Sequence, residues 1–120
     1  MIPERIQLSR ARGWRMPPDT IKVDRSTVFG NPFTLSKAKE AGYKGSDAEL
    51  VAMNVNAFWE WLTYPRTQCW WQGSDSETAR QAILTGLDRL RGKNLACWCK
   101  PGTPCHADIL LKMANRDVAP

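Results

Sequence analysis

Apolar and polar residues alternate over Arg5–Arg10, with Ile6 and Leu8 on one face, the period-two pattern of a short strand. Residues 11–19 form a loop marked by Gly13 and Pro17-Pro18-Asp19. Thr20–Asp24 is β-branched and predicts a second strand. After the loop Arg25–Phe33, Leu35–Ala41 predicts one or two helical turns ending at Gly42. Ser46-Asp-Ala-Glu49 is a capping box, in which serine and glutamate satisfy each other's backbone amides. The helix it opens runs to about Tyr64 and stops at Pro65. Its stripe is Leu50, Val51, Val55, Phe58 and Leu62, flanked by Trp59 and Trp61. A loop to Gly73 holds Trp70-Trp71.

Ser74-Asp-Ser-Glu77 has the same capping-box pattern, before a helix with Ala79, Ile83, Leu87 and Leu90 on one face. Gly92 fits the left-handed position that closes such a helix. Asn94–Cys99 reads as a buried strand. Lys100–Pro104 is a turn-rich loop, and Cys105 opens a helix to about Asn115. Three strands and three or four helices predict an α/β fold, a small sheet flanked by helices, in one domain over residues 1–120.

Charge narrows the partners. The chain of 120 residues has a net charge of +5. Near its start Arg5, Arg10, Arg12, Arg15, Lys22 and Arg25 outnumber Glu4, Asp19 and Asp24. A basic field favours small phosphates and polyanions alike. With no basic tract and no aromatic-basic repeat, nucleic acid is a possible partner rather than the first expectation. No apolar stretch approaches the roughly 20 residues that cross a bilayer, and Met1-Ile-Pro-Glu lacks the layout of a signal peptide. The protein is expected in the cytoplasm, away from membranes, with its four cysteines reduced.

Three of those cysteines and the single histidine fall in Leu95–Asp108. A strand, tight loop and helix start place free amides and the helix dipole at one spot, where anionic ligands bind. Cys105 at that helix start is expected to have its thiolate stabilised, and His106 titrates near neutrality; both are catalytic candidates. Asp108, in the first turn, is the third. Alternation puts Cys97 and Cys99 on one side of the strand and Trp98 on the other. Packing explains Cys97 and Cys99 adequately, while Cys99, at the strand end, also fits a site lining. Zinc held by Cys97, Cys99, Cys105 and His106 has the right ligand number. The spacing opposes it, because adjacent residues at a helix start diverge by about 100°. The expectation is therefore no metal and no cofactor.

A second constellation is Val28-Phe-Gly-Asn-Pro-Phe33. Gly30 opens backbone conformations closed to other residues, and Pro32 stiffens Asn31 toward extended geometry. The loop presents an amide and bare backbone groups, or serves as an ordinary turn. Arg25 and Arg15 offer guanidinium forks for phosphate. Trp14, Trp70 and Trp71, in predicted loops, are candidates for stacking on a base or holding a partner.

The chain resembles a family of small bacterial and phage proteins, domain of unknown function 4326. The resemblance rests on Ile6-Gln-Leu-Ser-Arg10, Gly13-Trp-Arg-Met-Pro17, Val23–Phe33, Leu90–Cys99 and Cys105-His-Ala-Asp-Ile-Leu110. Lys44–Gly73 carries no motif of it. The resemblance supplies motifs and no reaction, and it implies that the two constellations belong to one site.

The combined expectation is an enzyme of hydrolysis or group transfer on a phosphate-bearing, nucleotide- or nucleoside-like ligand. Arg25 and helix amides would hold the anion, Asn31 would read a polar edge, and Cys105 or His106 would supply proton or nucleophile chemistry. The alternatives are a non-catalytic nucleotide or nucleic-acid binding module and a zinc-stabilised interaction domain. The oligomeric state is left open.

Overall fold

The computed structural model describes residues 2–63, 71 and 73–116. In chain order the elements are β1 (Arg5–Gln7), β2 (Thr20–Lys22), α1 (Leu35–Glu40), α2 (Asp47–Thr63), α3 (Ser74–Leu90), β3 (Asn94–Cys97) and α4 (His106–Asn115). Each lies where the hydrophobic pattern placed it. The strands are shorter than the pattern suggested. The predicted end of α2 at Tyr64–Pro65, and Trp70, fall outside the described residues.

Asn94–Cys97 is buried at every position, as a central parallel strand requires. It lies between β1 and β2 and is parallel to both, giving the order β1-β3-β2. Ile6 pairs with Ala96 on one side, and Ile21 pairs with Leu95 on the other. Two bonds carry the ladder past the strand ends, Leu8 N–H to the Cys97 carbonyl at 2.7 Å and Val23 N–H to the Ala96 carbonyl at 2.9 Å. The segments after Leu8, Val23 and Cys97 thus leave the same edge of the sheet. In open α/β sheets the crevice outside the carboxyl ends of the strands is where ligands bind.

Helix α4 packs on β3 and β1, and α2 and α3 pack on α4. Phe58, Leu62, Ile83, Leu90, Leu95 and Leu110 form the centre of the core. The capping box of α2 forms as expected: Ser46 Oγ accepts the Glu49 amide at 3.2 Å, and Glu49 Oε1 accepts the Ser46 amide at 3.0 Å. The stripe of α2 departs from expectation at four residues. Asn54 and Trp61 are buried, while Val51 and Val55 line a cavity.

The second capping box does not form. Ser74 is already helical and Gly73 is the cap, with no side-chain bond. Ser76 turns inward and Glu77 bonds Arg80 and Gln81. Gly92 takes its expected left-handed conformation, at φ +75°. No helix among the described residues is long and apolar enough to cross a membrane.

Candidate functional site

A cavity of about 420 Å³ opens where β2 and β3 end, a volume in the range of small-molecule sites. Asp24, Arg25, Asn31 and Phe33 line it from the front of the chain, and Cys97–Cys99 and Pro104–His106 line it from the tail. Val51, Asn54 and Val55 of α2 close it. The two constellations meet directly. His106 Nε2 lies 2.7 Å from the Val23 carbonyl, and Trp98 Nε1 donates to Asp24 Oδ2 at 2.8 Å.

The front loop owes its path to Gly30, though for a different reason than expected. Gly30 is not in the left-handed region. A Cβ there would stand 2.7 Å from Arg25 Cα and 3.0 Å from the Asp24 carbonyl oxygen. The glycine is needed for close approach of two backbones. Asn31 lines the cavity, but its amide serves the fold. Nδ2 donates to the Asn54 carbonyl at 3.2 Å, and Oδ1 accepts the Phe33 amide at 2.9 Å. Pro32 shapes the loop without lining the cavity. Arg25 does line it, and is exposed at its rim.

Two expected site residues lie elsewhere. Arg15 is exposed in the loop before β2 and outside the cavity lining. Asp108 is drawn into an ion pair with Arg5 Nη1 at 3.0 Å. The same guanidinium donates to the carbonyls of Lys100 and Thr103, both at 2.8 Å. Arg5 therefore clamps the outer side of the loop whose inner side lines the cavity, and Asp108 orients the clamp.

At the tail, Cys97, Trp98 and Cys99 all face the cavity, because β3 ends at Cys97 and alternation ends with it. This corrects the expectation that Trp98 points away. Trp98 is 42% exposed, with Arg10 over its ring at 4.6 Å. Trp71 instead stacks on Trp61, with centroids 5.9 Å apart. Trp14 lies in an exposed loop.

A family model described as Domain of unknown function (DUF4326) matches residues 6–116. The chain belongs to that family. No curated protein and no solved structure matches it. The matched span of this DUF4326 domain contains every cavity-lining residue named above.

The electrostatics of the domain centre on sulfur. The Sγ atoms of Cys97, Cys99 and Cys105 all lie within 4.8 Å of one another. Those of Cys97 and Cys105 are 3.0 Å apart. Hydrogen bonds from Cys105 and then Cys97 outweigh burial and hold the Cys99 thiol far below its ordinary range. Bonds to Cys97 and Cys99, with burial, push the Cys105 thiol up. The helix start at Cys105 was expected to favour its thiolate; the neighbouring thiols and burial oppose that. Burial lowers the pKa of His106, so its ring is neutral near pH 7. Its Nε2–H donates to Val23, which leaves the Nδ1 lone pair 3.8 Å from Cys105 Sγ.

One residue escaped sequence reasoning. Asn54 is 4% exposed, lines the cavity, and its Oδ1 has no hydrogen-bond partner among the described residues. The available signal was an amide on the core stripe, four residues after Leu50 and four before Phe58.

Proposed function

We propose that this protein is an enzyme of hydrolysis or group transfer whose substrate is a phosphate-bearing, nucleotide- or nucleoside-like molecule bound in the cavity between the Gly30–Pro32 loop and α4. The observation that carries the reading is Asn54 Oδ1, a buried acceptor without a partner in a cavity wall. Such a group costs about 1–3 kcal/mol while it stays unpaired. An amino or imide N–H of a nucleobase is the kind of donor that recovers this on binding.

Other groups support the same ligand class. Arg25 puts a guanidinium at the rim for a phosphate. Trp98, held by Asp24, gives the mouth an indole for a flat ring. The reacting end is the sulfur-lined one. Cys99 is the sulfur that solvent reaches, since Cys97 and Cys105 are buried. Cys105 and His106, the expected catalysts, support it from beneath.

The test titrates nucleosides and nucleoside monophosphates into wild type, Asn54→Leu and Arg25→Ala, with products followed by chromatography. Wild type should bind and turn over at least one monophosphate. Asn54→Leu should bind it roughly tenfold or more weakly, the loss of about one good hydrogen bond. Arg25→Ala should weaken phosphorylated ligands only. No binding across the panel at millimolar concentration overturns the proposal.

The exposed Arg10–Trp98 pair favours a second reading, a non-catalytic module for nucleotide or nucleic acid. Binding that falls steeply with salt, without turnover, would select it.

A further inference from the structure

The three sulfurs require an explanation that packing does not give. A thiol packs well as a small hydrophobe, but three on different backbone segments gain nothing from facing one another. Here Cys97 ends β3, Cys99 lies in the following loop, and Cys105 caps α4. Each position is fixed independently. The ladder bond to Leu8 holds Cys97, the Arg5 clamp holds the loop after Cys99, and the His106–Val23 bond holds the start of α4.

We infer that Cys97, Cys99 and Cys105 bind one thiophilic divalent metal ion of the zinc type, with its fourth coordination position open to the cavity. Metal–sulfur bonds of about 2.3 Å in a tetrahedral set place sulfurs about 3.8 Å apart. Separations that include 3.0 Å and reach no further than 4.8 Å bracket that value. A bound ion would open the Cys97–Cys105 pair slightly. A thiolate set selects zinc or a similarly soft ion over magnesium or calcium.

The surroundings suit three thiolates on one dication, a unit of net charge −1. Cys105 is the N-cap of α4, where the helix dipole favours negative charge. Arg5 and Arg25 flank the cluster on its outer and cavity sides. Among the described residues no fourth histidine, cysteine or carboxylate joins the set. His106 Nδ1 comes within 3.8 Å of Cys105 Sγ, but its ring is tied to the Val23 carbonyl and stays outside the set. That excludes a closed four-ligand site and leaves a three-ligand one. All three cysteines line the cavity, so the remaining position falls to water or a ligand atom there. Closed tetrahedral sites hold folds together, whereas sites with an open position do chemistry.

The inference stands on the sulfur geometry alone, so it survives or fails independently of the nucleotide reading. The experiment removes metal from the full chain with a chelator, keeps it reduced with a phosphine, and titrates cobalt(II). A saturating 1:1 spectrum is expected, with thiolate-to-cobalt charge transfer and tetrahedral d–d bands, discharged by one equivalent of zinc(II). Cys99→Ser, at the most exposed position of the three, should fold normally by circular dichroism. It should lose about a third of the charge-transfer intensity and bind at least tenfold more weakly. Absence of the bands, an unchanged spectrum in Cys99→Ser, or a Cys97–Cys105 disulfide persisting in reductant overturns the inference.

Discussion

Helix α2 buries polar groups in two places, and the two differ in kind. Toward its end, Trp61 Nε1 donates to Ser76 Oγ at 2.9 Å, and Ser76 Oγ donates to the Trp71 carbonyl at 2.9 Å. Arg80 there spends its guanidinium on the carbonyls of Trp61 and Leu62 and on Glu77. These are carbonyls of the last helical turn, which otherwise lack partners. Two turns earlier, Asn54 presents an unmatched oxygen to a cavity, opposite a crowd of sulfurs. A satisfied polar cluster fixes structure; an unsatisfied one in a cavity is poised for something else. The contrast separates what holds this molecule together from what it is built to do.

That contrast can be broken by substitution. The largest expected effect is Arg80→Met, which leaves two α2 carbonyls without their donor and strips the Glu77 carboxylate of its ion pair. Urea unfolding should show a loss of about 3 kcal/mol. Ser76→Ala strands the Trp61 indole N–H and removes the hydroxyl donor to the Trp71 carbonyl, and should cost about 2 kcal/mol by the same measurement. The outcome that would erase the distinction is a near-zero effect for both.

Asp24 is the cavity group that behaves like the satisfied cluster. Burial pushes its carboxyl up, but bonds from Ser26 and Trp98 and the nearby Lys22 outweigh this and hold its pKa below the usual carboxylate range. A carboxyl lowered on folding stabilises the native state above its unfolded pKa of about 4. The gain is lost as pH falls through the lower, folded value. Asp24→Asn should therefore flatten the stability–pH curve below about pH 4, with a loss of order 1 kcal/mol at neutral pH. A curve parallel to wild type would sever Asp24 from acid unfolding.

The smallest effect on stability is the most telling. Asn54→Leu removes an unpaired acceptor, so the ligand-free protein should keep its stability or gain up to about 1 kcal/mol. A loss near that of Ser76→Ala would show that Oδ1 is satisfied after all and place Asn54 with the structural cluster.

The same distinction explains what the sequence could reveal. The capping box at Ser46–Glu49 was legible because its partners lie three residues apart. The same spacing at Ser74–Glu77 misled because Ser74 is already helical and Glu77 bonds Arg80 and Gln81, one turn further along its own helix. Convergence of the Asn31 and Cys105 regions was expected from the family resemblance, and both line the same cavity. The roles within the site were less legible. Asn31 looked like a reader of ligand and is a tie between loop and helix. Asp108 looked catalytic from its neighbours in sequence, and Arg5, 103 residues away, takes it for a clamp. Trp98 changed sides because β3 stops one residue before it.

The bond from His106 Nε2 to Val23 spans 83 residues. A nascent chain emerging front-first therefore exposes the Val23 carbonyl, the Gly30 bend and α2 before any of the three tail sulfurs can follow. Until α4 leaves the ribosome there is no floor beneath the opening. A polypeptide halted anywhere short of His106 would carry most of the walls and none of the assembled pocket.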